Sequence, residues 1–143
     1  MASSNDAKRK YFGWTDQSVL ILCGLLNKYV MKYGRSIPFK WMDLQPEFEN
    51  IVQIKLYSEK VLKHKYDEMR KDYNLWKSLK NKATGVGWNQ SLGKLDFSDD
   101  WWDKRIKEDI NVKRIRRKQP SVELQEAWDQ LFTNAVANGI DCV

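Results

Sequence analysis

Lys60, Lys63, His64, Asp67, Arg70, Lys71 and Asn74 recur through one stretch of the chain at intervals that an α-helix gathers on one side. Lysine and arginine donate hydrogen bonds and carry charge, and asparagine both donates and accepts. Together these side chains suit the phosphates and base edges of a nucleic acid better than they suit a reaction. Lys63 has the donors for guanine O6 and N7, and Asn74 has the donor–acceptor pair that matches adenine. The residues between them explain why a helix is expected. Leu62, Tyr66, Met69, Tyr73 and Trp76 alternate at steps of four and three, and no Gly or Pro interrupts them. Ser58 is suited to cap this helix, and Glu59 favours its positive end. A basic helix anchored by an aromatic back has the form that enters a DNA major groove. The alternative is a solvated face on a helix that only packs.

Other chemistry is poorly supported. Thr84-Gly85-Val86-Gly87-Trp88 has two glycines but lacks a P-loop or dinucleotide pattern and a preceding strand. Gly85 is better read as a helix terminator, with Trp88 turning back to cover the helix end. Asp99, Asp100 and Asp103 are explained as acids at a helix start. One His, His64, and two distant cysteines, Cys23 and Cys142, leave no metal set and no disulfide framework. No Ser/His/Asp or Cys/His constellation is present. The chain is therefore expected not to be an enzyme and to need no cofactor, small-molecule substrate or metal.

The 143 residues carry a net charge of +6, 13% aromatics and seven Trp, which suits a packed domain with a polyanionic partner. The charge is uneven. Lys8-Arg9-Lys10, the long helix and Lys104 to Lys118 are basic, whereas no Lys or Arg follows Gln119. The first residues lack the apolar core of a secretory signal, and Val19 to Leu26 is too short to span a bilayer. A soluble, nuclear protein without a membrane partner is expected.

The elements that would position the basic helix follow in order. Residues 1–12 read as a disordered basic lead, 13–136 as one domain, and 137–143 as a tail or the start of a linker. Thr15 caps a first helix whose Val19, Leu22, Cys23, Leu26, Tyr29 and Val30 face inward, with Ile21 and Leu25 widening the stripe. Trp14 is placed to staple it, and Gly34 to end it in a left-handed conformation. Pro38 marks the start of a second helix, which Pro46 breaks or kinks. After the long helix, Ser98 caps another, with Trp101 or Trp102 and Ile106 buried. Asn111 to Lys118 is a dense basic run with no fixed face. It could contact phosphates, act as a nuclear import signal, or be solvated. Ser121 caps a last helix with Leu124, Trp128, Leu131, Phe132 and Ala135 inward and acidic outer positions.

Read as a whole, the pattern resembles the plant Myb/SANT-like domain family, with its relatives among trihelix factors and the Myb-like proteins of PIF/Harbinger transposons. Gly13-Trp14-Thr15-Asp16, the Trp41 segment, Leu62-Lys63-His64-Lys65-Tyr66 and Tyr73-Asn74-Leu75-Trp76-Lys77-Ser78-Leu79 carry the likeness. So do Thr84-Gly85-Val86-Gly87-Trp88-Asn89, Trp101-Trp102 and the basic run to Pro120. The resemblance implies an all-α fold: a three-helix helix-turn-helix core with additional C-terminal helices, the third helix being the reader. Trp14, Trp41 and Trp76 are unevenly spaced, unlike the tryptophans of a standard Myb repeat. His64 stands where a small amide is common.

The function expected is sequence-specific binding of double-stranded DNA by a transcriptional regulator or transposon-derived protein. Lys60, Lys63, His64, Asp67, Lys71 and Asn74 would read bases. Lys65, Arg70, Lys113, Arg114, Arg116, Arg117 and Lys118 would hold phosphates. The alternative is a SANT-type protein-interaction module that binds chromatin or a partner protein. The acidic C-terminal helix offers a possible partner surface in either case.

Overall fold

Thr15 and Ser18 open the first helix by satisfying each other's backbone. Ser18 N–H donates to Thr15 Oγ1 at 3.1 Å, and Thr15 N–H donates to Ser18 Oγ at 2.8 Å. This is a capping box with serine in the place usually held by Glu or Gln. The computed structural model describes residues 12–83 and 87–133. They fall into two compact units: the chain up to Glu68 with the chain from Ala127 onward, and Met69–Glu126. The fold is all-α, of the expected helix-turn-helix class with further C-terminal helices. Its elements are α1 (Asp16–Tyr33), α2 (Trp41–Val52), α3 (Lys60–Ala83), the hairpin strands β1 (Trp88–Asn89) and β2 (Lys94–Leu95), α4 (Asp99–Glu108), α5 (Val112–Arg117) and α6 (Val122–Trp128). A π-helical turn, Asp129–Thr133, extends α6.

In the first unit, Leu22, Cys23 and Leu26 of α1 have no exposed surface, and Leu25 and Tyr29 are buried beside them. Gly34 ends α1 with its N–H on the Val30 carbonyl at 2.8 Å. Its φ is +89° as a glycine permits, but ψ of 162° lies outside the left-handed helical region expected for it.

The second helix corrects two expectations. It begins at Trp41, not Pro38, and it runs unbroken through Pro46. Pro38 instead accepts a hydrogen bond on its carbonyl from the Tyr29 hydroxyl at 3.1 Å, in the segment before the helix. Pro46 is exposed, and so is Met42, whose carbonyl a proline four residues later cannot serve. That carbonyl belongs to an exposed residue, where water can replace the missing donor, while Leu44 and Phe48, one turn apart, are buried and anchor the helix on both sides of the proline. Burying a side chain such as Phe48 contributes roughly 2–3 kcal/mol. Trp14, expected as a staple, lays its ring against Phe12 and Phe48, with centroids 4.8 and 5.4 Å away.

Glu49 fastens the turn that leads into α3. Its carboxylate accepts from the Leu56 N–H at 2.7 Å and from the Gln45 amide at 3.0 Å. Those two hydrogen bonds, Gln45 first, hold the Glu49 carboxyl below the usual carboxylate range. At the other end of the unit, Arg35 donates to the carbonyls of Gln130 and Leu131 at 2.8 and 2.9 Å. Asn27 donates to the Ala127 carbonyl at 3.4 Å. Tyr66 packs edge-on against Phe39 and tilted against Trp41 and Phe132, with ring centroids 5.2 to 5.7 Å apart, and is half-buried rather than fully enclosed.

In the second unit, Met69, Tyr73 and Trp76 are buried as their spacing implies, and Leu79 and Ala83 continue the stripe. Trp88 lies 6.2 Å from Trp76, covering this part of α3 as expected. It does so from a hairpin that the sequence reading missed, with Trp88 paired to Leu95 and Asn89 to Lys94. Gly93, at φ +64°, makes the turn possible. Gln119 meets Leu95 twice, accepting from its N–H at 2.8 Å and donating to its carbonyl at 2.9 Å.

Ser98 caps α4 as expected, accepting from Trp101 N–H at 3.3 Å, and Trp102 is buried. The run Asn111 to Lys118 corrects the sequence reading: most of it is helix α5, with Val112 and Ile115 buried at a spacing of three. The basic stretch therefore has a fixed face. Ser121 caps α6 by accepting from Leu124 N–H at 3.1 Å. Most of the lead over residues 1–12 lies outside the described residues. So do Thr84-Gly85-Val86 with the terminator role of Gly85, as well as Ala135, the 137–143 tail and Cys142.

Candidate nucleic-acid interface

The entry to α3 is built by Ser58, whose hydroxyl accepts from the Lys60 N–H at 3.1 Å. Val61 and Leu62 follow, both buried, and they orient the turn. With two adjacent positions facing inward, Lys60, Lys63 and His64 are left exposed, as the helical wheel predicts. The burial of Val61 is not legible from the spacing, because a stripe drawn through steps of four and three passes beside it.

Within the first unit, Lys63 Nζ lies 3.4 Å from Asp67 Oδ2, one helical turn on. Lys65 is drawn away from solvent. Its ammonium contacts Glu68 at 3.1 Å and lies 5.5 Å from the centre of the Trp14 ring, and its side chain keeps only 17% of its exposure. Burial pushes the Cys23 thiol up to about 12 despite the nearby Lys65 charge, which makes this cysteine an unreactive core residue.

Within the second unit, Arg70, Lys71 and Asn74 are exposed on α3. The cations of α5 divide into two kinds. Arg114 is ion-paired with Asp72, a mostly buried carboxylate on α3. Arg116 is paired with Asp99, reaches Asp103 at 3.5 Å, and lies over the Trp102 ring at 5.9 Å. Lys113 and Arg117 are exposed and make no ion pair with the described residues. Lys118 is exposed as well. Further along α3, Lys80 sits over Trp88 at 4.4 Å and Lys82 contacts Glu108 at 3.5 Å. A hydrogen bond from Arg105, helped by Lys82, holds Glu108 below the usual carboxylate range.

Sequence reasoning missed the partners Asp72, Asp99 and Asp103. No local signal marks Asp72, because it lies 42 residues from Arg114. Chemically, the exposed set offers donors and positive charge with one carboxylate among them. That set binds anions and hydrogen-bonding edges; nothing in it activates a nucleophile. Among the described residues no group of His, Cys, Asp and Glu could hold a metal ion, and no helix is long and apolar enough to cross a membrane.

A family model described as the Myb/SANT-like DNA-binding domain matches residues 13–105. The matched stretch contains α1, α2, α3 and the hairpin and stops within α4, so α5 lies beyond it. Neither the curated proteins nor the solved structures yield a match.

Proposed function

The chain belongs to the Myb/SANT-like DNA-binding domain family, and from that premise we propose that it reads specific sequences in double-stranded DNA with the early turns of α3 in the major groove. The observation that carries this is the exposed set Lys60, Lys63 and His64 on a helix whose adjacent Val61 and Leu62 are buried. A helix held by its back can present such a set rigidly to base edges. Asp67 belongs to the same reading surface, and Lys71 and Asn74 reach bases only if the groove follows α3 that far. Arg70 and Lys118 serve phosphates. Lys113 and Arg117 do so more effectively than Arg114 and Arg116, whose guanidiniums already have carboxylate partners. Lys65, held by Glu68 and Trp14, gives up those contacts if it reaches a phosphate. The protein acts in the nucleus, as part of a transcriptional regulator or a transposon-derived protein.

In-vitro selection from a random duplex pool, followed by binding titrations at several salt concentrations, tests this. The expected result is one enriched motif and an affinity that falls steeply as salt rises, because bound cations release condensed counterions. Absence of binding at low ionic strength would end the proposal.

A protein-interaction role is the second reading, and one feature of the first unit favours it. A cleft of about 240 Å³ between α1 and α2 is lined by Leu25, Tyr29, Tyr33, Ile37 and Leu44 together with the charged Lys28, Lys32, Lys40, Asp43 and Glu47, and Tyr33 and Ile37 are exposed. In the second unit, the exposed acids Glu123 and Glu126 offer a further partner surface.

A further inference from the structure

Asp67 is the one anion among the positions assigned to base reading, and a carboxylate there needs a reason. Its ion pair with Lys63 spans 3.4 Å between side chains that are 48% and 55% exposed. The order, Lys before Asp along the helix, is the less favourable orientation of such a pair, and exposed pairs contribute little. Helix stability is therefore a weak reason. Phosphate binding is no reason at all, because like charges repel.

Base edges give a better one. An ionised carboxylate only accepts hydrogen bonds, so in the major groove it meets cytosine N4 or adenine N6 and is repelled by guanine O6 and N7 or thymine O4. An ammonium only donates, so it prefers the complementary set. Every Watson–Crick pair presents one keto oxygen and one amino nitrogen side by side in the major groove. They lie about 2.9 Å apart because they are hydrogen-bonded to each other. Lys63 Nζ and Asp67 Oδ2, at 3.4 Å, have nearly that spacing and the complementary polarity.

We propose that Lys63 and Asp67 act together to read a single base pair by the order of its keto and amino groups. Lys63 donates to guanine O6 or thymine O4, and Asp67 accepts from cytosine N4 or adenine N6 of the same pair. G·C is favoured over T·A, because guanine N7 gives the ammonium a second acceptor, whereas adenine N7 would face the carboxylate. This inference rests on the proposed placement of the early turns of α3 in the groove.

The test is in-vitro selection on random duplexes with the full chain and with Asp67→Ala, Asp67→Asn and Lys63→Ala. Both side chains are about half exposed, so all three variants are expected to melt close to the parent. The parent motif should contain one position that takes G, then T, and excludes A and C. Asp67→Ala should admit A and C at that position alone, with discrimination falling roughly five- to a hundredfold. Asp67→Asn should do likewise, because its amide can donate as well as accept. Lys63→Ala should relax the same position and no other. Tighter binding of all duplexes by Asp67→Ala with an unchanged motif would overturn the inference, since the carboxylate would then only lower the charge. Lys63 and Asp67 variants that relax different positions would overturn it too. A parent that enriches no motif would sink the DNA-reading proposal itself, and the parent profile alone tells that failure from the others.

Discussion

Replacing Pro46 with alanine should make this protein more stable. Proline in a helix interior is about 3 kcal/mol less favourable than alanine, because it removes an N–H and crowds the preceding turn. Pro46 is the sixth residue of α2, beyond the first turn in which a missing N–H costs nothing. Alanine would restore the bond to the Met42 carbonyl. Two effects reduce the gain. Met42 is 75% exposed, so water already solvates its carbonyl in part. The unfolded chain also becomes freer without the ring, which costs roughly 0.4–1 kcal/mol. The net expectation is about 1–2 kcal/mol of added stability. Guanidinium denaturation followed by circular dichroism should show a higher midpoint at an unchanged m-value. A midpoint equal to or below that of the parent would refute the reasoning. Pro46 would then be setting a bend that Leu44 and Phe48 need in order to pack.

Four further outcomes are expected. Trp76→Ala removes a side chain that is 2% exposed and should cost roughly 3–5 kcal/mol, read as a collapse or large drop of the thermal transition; a melt near that of the parent would contradict its place in the core. Arg114→Ala should lower the melting temperature modestly, by about 1 kcal/mol of stability or less, since its pair with Asp72 is half-exposed on the arginine side. Lys113→Ala should leave melting unchanged and reduce the slope of log affinity against log salt by about one unit, and equal slopes in the two variants would reject the division of α5. Glu49, with its carboxyl held below the usual 4.5, contributes stability that is fully present above that value and is lost as pH falls through its folded-state value. Glu49→Gln should show a shallower acid-side decline in denaturation midpoint than the parent, and parallel curves would argue against the link.

The long helix was legible because its evidence is periodic: five apolar residues at alternating steps, with a serine in front of them. Its base-facing candidates followed from the same wheel, and Lys60, Lys63 and His64 are exposed as it implies. Where reading failed, local rules met tertiary packing. Pro46 breaks helices in isolation, yet Phe48 is fully buried one half-turn later and keeps α2 continuous. Val112 and Ile115 form a helical pair, but five cations from Lys113 to Lys118 hide a two-residue apolar signal. Two-residue strands have too little alternation to be seen at all. The carboxylates that hold Arg114 and Arg116 are set by the fold, 42 and 17 residues away from their partners.

The hairpin raises one matter of its own. A two-stranded ribbon leaves an unpaired edge on each strand, and such an edge can recruit a strand from another molecule. Here the Gln119 side chain fills that role from within. Its amide offers one acceptor and one donor to the N–H and carbonyl of Leu95, as the backbone of a neighbouring strand would. Glutamine is the residue suited to the task. Glutamate of the same length would lose the donor, and asparagine would fall short by a methylene. One side chain thus satisfies the outward backbone of Leu95 where a third strand would otherwise be needed, and it leaves β2 without that pair of groups to offer to another molecule.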